Sequence, residues 1–120
     1  MKFGGICILT DDAPRLAAFY TIFLQEEPFV EGSHYGFKNS RIAVYDPGGV
    51  SVAKEKNMSI MFGVPDADAE YGRLLKEIPD IKITSTPEKR PWGAYSFWCL
   101  DPDGNTLSVV RDDGPKEQPR

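Results

Sequence analysis

Histidine, cysteine and clustered basic residues are scarce in this chain. It has one histidine, His34, and two cysteines, Cys7 and Cys99, in 120 residues. A structural zinc site draws on four Cys or His donors, more than these residues supply. No Ser-His-Asp set can be argued with a lone histidine in a short hairpin loop. Neither cysteine has a basic neighbour in sequence that would lower its pKa, and both lie in apolar runs. They read as buried free thiols in preference to a bridge. Net charge is −4 and the basic residues form no run, which argues against a nucleic-acid surface. No apolar stretch approaches the roughly 20 residues of a membrane-spanning helix. The N-terminus lacks a basic region followed by an apolar run, so a cytoplasmic location is the expectation. There is no glycine-rich phosphate loop before a helix, since Gly4-Gly5 falls inside a predicted strand.

What is present is an ordinary globular composition, 41% hydrophobic and 27% charged, which fits one compact domain or two half-domains sharing a sheet. Lys2 to Thr10 is short and apolar and reads as a strand. Asp12 is a helix N-cap, with Pro14 in the first turn. Leu16, Phe19, Tyr20, Phe23 and Leu24 then recur at helical spacing. Pro28 to Glu31 is a candidate short strand. His34 to Phe37 and Arg41 to Tyr45 form a predicted hairpin around Lys38-Asn39-Ser40. Residues 46–57 read as a connector.

The order then starts again. Met58 to Val64 is a predicted strand, and Pro65-Asp66 leads into a helix reaching Ile78. Asp80 to Thr84 is a short strand, and Gly93 to Leu100 and Thr106 to Val110 are a hairpin. Asp12 and Asp66 open the two helices and Leu24 and Ile78 close them, both pairs 54 residues apart. A repeated unit that cannot close its own core implies that its copies pack together. The last strand of the first repeat stays open between Arg41–Tyr45 and Val50–Lys54, because Asp46-Pro47-Gly48-Gly49 is similar to Asp101-Pro102-Asp103-Gly104. The earlier hairpin is preferred, since Val50 to Lys54 is weakly apolar. From residue 113 the polar, Pro-rich tail is expected to fray.

The most specific stretch is Pro91-Trp92-Gly93, an aromatic strand, and then Asp101-Pro102-Asp103-Gly104-Asn105. Pro presets φ, Gly supplies positive φ, and Asp and Asn bond their own backbone. Asp101 and Asp103 look like a catalytic carboxylate pair but are better explained by this turn. With the Phe19-Tyr20 pair after Asp11-Asp12, the arrangement resembles the glyoxalase/bleomycin-resistance/dioxygenase family, the vicinal oxygen chelate superfamily. The resemblance implies an α+β fold. Two βαβββ modules, about 1–46 and 57–112 in a single domain of residues 1–112, would form a curved, partly closed mixed sheet with helices outside. It also implies a homodimer with a small-molecule cavity.

Enzymes of this superfamily hold a divalent metal on His, Gln or Glu side chains. Carried over by position, the usual first-strand His falls at Gly5, its second-module counterpart at Ser59, and the last-strand Glu at Ser108. The fourth place falls at Tyr45. Glycine offers no ligand and neutral hydroxyls are poor ones for these metals. No metal, no other cofactor and no catalytic residue is therefore expected. The implied function is metal-independent binding of an apolar or planar small molecule, antibiotic sequestration included. The alternative is a lyase, isomerase or dioxygenase with an atypical site, for which Tyr45 and His34 are the visible acid–base groups. Strand alternation puts Thr106, Ser108 and Val110, Ser59, Met61 and Gly63, Phe3, Gly5 and Cys7, and Ala43 and Tyr45 on the cavity face, and the resemblance implies the same for Ser96, Trp98 and Leu100. The candidate ligand-binding residues are Trp98, Tyr45, Trp92, Ser96, Met61 and Ser108.

Overall fold

The computed structural model describes residues 1–112; the polar tail expected to fray lies outside the described residues. The chain divides into two compact units, Met1–Glu55 and the residues from Lys56 onward.

The first unit runs β1 (Ile6–Leu9), α1 (Ala13–Leu24), β2 (Phe29–Glu31), β3 (His34–Phe37) and β4 (Ile42–Tyr45). Its strand order is β1-β4-β3-β2, with β1 parallel to β4 and the other pairs antiparallel. The Asp12 carboxylate accepts the Arg15 N–H at 3.2 Å and so satisfies an orphan donor of the first turn of α1. Leu16, Phe19, Tyr20 and Phe23 lie buried on one stripe of the helix. Tyr20 meets Phe37 of β3 with ring centroids 6.5 Å apart. The helix stops where Gln25 turns left-handed (φ 53°) and donates to the Ile22 carbonyl. The Glu26 carboxylate then ties the helix end to the β3–β4 turn, accepting from Asn39 N–H and Ser40 Oγ, both at 2.8 Å. Of the two assignments left open for the last strand, the structure takes the earlier one, and among the described residues 46–57 carry no strand.

β1 is shorter than the predicted Lys2 to Thr10. It begins at Ile6 because Gly5 has φ +139° and packs against the Arg41 carbonyl, which accepts the Ile6 N–H at 3.0 Å. A second correction concerns Cys7. It was expected to be buried and is exposed, because β1 is an edge strand and Cys7 points away from α1.

The second unit runs β5 (Ser59–Val64), α2 (Ala67–Glu77), β6 (Lys82–Lys89), β7 (Tyr95–Leu100) and β8 (Thr106–Arg111). Its order, β5-β8-β7-β6, reproduces that of the first. The mixed sheet expected from the resemblance thus takes the form of two four-stranded mixed sheets. Asp66 caps α2 by accepting the Ala69 N–H at 3.0 Å. Phe97, Cys99, Leu107 and Val109 are buried on the α2 face, where Tyr71 meets Phe97 edge-on at 5.3 Å. Tyr95 Oη donates to Asp68 of α2 at 2.7 Å. Asp101 Oδ1 accepts the N–H groups of Asp103 and Asn105, each at 2.9 Å, and Oδ2 accepts Asn105 Nδ2 at 2.8 Å. The carboxylate is consumed by the turn, which accounts for its burial without catalysis.

β6 extends well beyond the predicted Asp80 to Thr84. Pro87 argues against a strand, but β6 is the sheet edge and its register shifts twice against β7, between Ile83 and Ser85 and between Ser85 and Glu88. An edge with bulges is where proline is tolerated.

Candidate ligand-binding site

The bulges in β6 decide the chemistry of the face turned away from α2. Ile83 pairs with Cys99 and so belongs with the helix-facing residues. Simple alternation would send Ser85 the same way. The register shift instead pairs Ser85 with Trp98, and the next shift pairs Glu88 with Ser96. Both polar side chains therefore arrive on the open face, where a slip of one residue changes sides.

They converge on Arg90, which follows β6 directly and is only 6% exposed. Its Nε donates to Ser96 Oγ at 2.9 Å, and one terminal nitrogen donates to Ser85 Oγ at 2.9 Å and Glu88 Oε2 at 2.7 Å. The other donates to the Ser96 carbonyl at 2.8 Å. The guanidinium lies over the Trp98 ring, 4.4 Å from its centroid. A buried cation costs several kcal/mol unless paired and hydrogen-bonded, and here the ion pair, two hydroxyls, a carbonyl and the indole offset that cost. The result is a tryptophan whose ring is pinned by a locked arginine.

Four of the six candidate residues meet on this face. Met61, Ser108, Trp98 and Ser85 form one cross-strand row over β5, β8, β7 and β6. Met61 is 73% exposed, Trp98 is half-buried, and Ser108 between them is buried. Ser96 is also buried, as the acceptor for Arg90. Trp92 stands apart in the β6–β7 turn, 70% exposed. Tyr45 belongs to the first unit, where its half-buried ring contacts that of His34 at 5.6 Å. His34, read as a hairpin surface residue, pairs with Tyr45 in register.

The first unit has its own opening. An open pocket of about 580 Å3 is lined by Gly5, Cys7, Gly36 and Ala43 together with Lys38 and Arg41. The sequence reading placed Gly5, Cys7 and Ala43 on a cavity face and missed Lys38, Arg41 and Arg90. The two cysteines differ sharply. Burial, with the Asp101 charge behind it, pushes the Cys99 thiol up to about 12, so it stays protonated and inert. Slight desolvation also raises the exposed Cys7 thiol.

Gly5 cannot be replaced by a ligand-bearing side chain without cost. A Cβ there would stand 2.5 Å from the Arg41 carbonyl oxygen, on a backbone at φ +139°. Ser59 and Ser108 share the open face of the second sheet on neighbouring strands. Among the described residues, no three His, Cys, Asp or Glu side chains stand close enough to hold a metal ion. No described helix is long and apolar enough to cross a membrane.

The chain matches the family model described as Glyoxalase/Bleomycin resistance protein/Dioxygenase superfamily over residues 2–109. Similar solved structures include a protein of unknown function from Agrobacterium tumefaciens str. C58, with TM-score 0.77, 22% identity and 93% of this chain and 94% of that one covered. TioX from Micromonospora sp. ML1 is similar at TM-score 0.69 and 15% identity, with coverage of 92% and 98%. Lactoylglutathione lyase from Agrobacterium tumefaciens is similar at TM-score 0.66 and 18% identity, with coverage of 91% and 92%. No curated protein matches the chain. At these identities the structural likeness speaks for the fold, and the family match spans nearly the whole sequence. The chain belongs to the glyoxalase/bleomycin resistance protein/dioxygenase superfamily.

Proposed function

We propose that this is a metal-independent binding protein for an apolar or planar small molecule, in the manner of an antibiotic-sequestering protein. The observation that carries the reading is Trp98, stacked under Arg90 and set in a row with Ser108 and Met61. A rigid aromatic face beside a small hydroxyl and a polarizable thioether suits a planar ligand, since ordering such a wall on binding loses little entropy. The residues at the positions where family enzymes hold metal support the same reading: Gly5, Ser59 and Ser108 supply no strong donor, and Gly5 has no room for one. The two repeats act as one functional domain, 1–112, in a cytoplasmic homodimer. Exposed Phe3, Leu9 and Phe29 on the first unit and Met61 and Trp92 on the second are surfaces such an assembly would cover.

One observation favours an enzymatic alternative. His34 and Tyr45 are in ring contact, the kind of pair an isomerase or lyase could use for proton transfer. One experiment separates the two. Purified protein is dialysed against Mn2+, Ni2+ or Zn2+, analysed for bound metal, and screened by thermal shift against bleomycin-type and other planar antibiotics. The Trp92→Phe variant isolates Trp98 emission. Binding raises the melting temperature by mass action and changes Trp98 emission, with the ligand recovered intact. Stoichiometric, tightly held metal, or conversion of the ligand that stops in a Tyr45→Phe variant, would sink the binding-protein reading.

A further inference from the structure

We infer that the cavity of the first unit is an anion-reading site that takes a ligand with an apolar body and a carboxylate or similarly charged end. The inference stands on the first unit alone and does not depend on Trp98. At about 580 Å3 the cavity has the size of small-molecule sites. Its lining is small. Gly5, Gly36 and Ala43 contribute almost no side-chain volume, and Cys7 adds a small apolar thiol. No carboxylate lines it, in a protein whose net charge is −4.

The charged groups at the cavity are both cations. Lys38 and Arg41 flank the β3–β4 turn and line it together. Among the described residues neither is ion-paired. Lys38 Nζ rests over the Phe29 ring at 5.3 Å, and Arg41 spends one N–H on the Phe3 carbonyl at a long 3.4 Å. The turn that presents them is held from behind. Glu26 binds Asn39 N–H and Ser40 Oγ, and the Arg41 N–H donates to the Lys38 carbonyl. Glu26 is thus occupied with the intervening residues and leaves both cations to the cavity. A planar guanidinium beside a flexible ammonium matches a carboxylate that accepts two charge-assisted hydrogen bonds. An amine of the same shape would meet like charge.

The test compares three probes with one ring system: 2-naphthoate, neutral 2-naphthalenemethanol and 2-naphthylmethylamine. Binding is read by calorimetry, and location by the rate at which iodoacetamide alkylates Cys7, which opens onto the cavity while Cys99 stays buried. Naphthoate should bind at least tenfold more tightly than the amine, with the alcohol between them, and should slow Cys7 alkylation at least fivefold. Replacing both cations, Lys38→Gln with Arg41→Gln, should weaken naphthoate at least tenfold and leave the alcohol unchanged. An Ala43→Leu variant, which fills the pocket and keeps both charges, should lose all three probes. It decides the matter even if the double variant folds poorly. Equal binding of acid and amine, an unprotected Cys7, or naphthoate binding that survives Ala43→Leu would overturn the inference.

Discussion

The two units share one topology and spend it differently. Both run βαβββ in the same strand order, and both open their helix with an aspartate cap. In the first, α1 buries six residues, three of them the aromatic cluster Phe19, Tyr20 and Phe23, and the end of the open face around Gly5, Gly36 and Ala43 is left small. In the second, α2 buries only Ala67 and Leu74, while the open face carries a tryptophan and a buried arginine in a hydrogen-bonded lattice. A repeat therefore specifies where strands go without specifying what the open faces do. One face is hollow with charge at its edge; the other is built up around a fixed aromatic.

The largest expected effect tests the hollow face. Gly5 immediately precedes β1 and Gly63 lies within β5, and of the two only Gly5 has a left-handed φ and a backbone oxygen 2.5 Å from a would-be Cβ. Gly63 would meet only the Asp112 side chain, at 3.4 Å. Gly5→Ala should cost about 3 kcal/mol or more in urea unfolding, while Gly63→Ala should stay within about 1 kcal/mol. Gly5→His should be no better and should not create a metal site. Equal costs for the two alanine variants would mean that the β1–β4 approach relaxes freely.

Next in size is the built-up face. Arg90→Met keeps the length and apolar body of the side chain and removes its hydrogen bonds, leaving the Ser96 carbonyl without this donor. We expect a loss of about 2–3 kcal/mol and a shift of Trp98 emission in the Trp92→Phe background. Unchanged emission would show that the guanidinium does not hold the ring.

Much of this architecture was legible in the sequence, and the parts that were not share a cause. Phe97, Cys99, Leu107 and Val109 alternate cleanly, so the core face of the second sheet could be read directly. Asp101 to Asn105 could be read because its bonds are local: a side chain meeting backbone two and four residues away. The role of Arg90 could not. It depends on a register shift in β6 that moves Ser85 to the face of Trp98 and a second that keeps Glu88 on that same face, and no local pattern encodes a shift set by pairing with β7. Cys7 failed for a related reason. Alternation put Cys7 on the cavity face, but the apolar run Ile6, Cys7, Ile8 and Leu9 reads as buried throughout, and only an edge position in the sheet exposes Cys7 and Leu9. Gly5 signals space beside it, but Lys38 and Arg41 come to that space only through the β3–β4 turn and the parallel pairing of β1 with β4.

A third prediction concerns pH. Cys99 is raised from 9.0 to about 12 by burial first and by Asp101 second. The folded state holds the proton more tightly than the unfolded one, so its contribution is fully present below about pH 9. It is lost as pH rises toward 12, with a slope of up to about 1.4 kcal/mol per pH unit. The Cys99→Ala variant is less stable overall but should show a flatter slope from pH 9 upward. Parallel slopes would mean that the thiol ionises without unfolding the second unit.

The smallest effect asks whether the two aspartate caps are as alike as they look. Each accepts an N–H three residues on, at 3.2 Å for Asp12 and 3.0 Å for Asp66. Their helices differ in what else meets the N-terminal dipole. The first turn of α1 has no acidic residue, whereas α2 has Asp68 and Glu70. Losing Asp66 leaves α2 with two carboxylates near its positive end; losing Asp12 leaves the first turn of α1 with none. Asp12→Ala should therefore cost about 1 kcal/mol and Asp66→Ala about half that in thermal or urea unfolding. Raising the salt concentration should narrow the gap, because the dipole interaction of exposed Asp68 is screened while a cap hydrogen bond is largely not. A larger loss at Asp66 would reverse the comparison. It would mean that α2, with little buried surface to anchor it, relies on its cap more than α1 does.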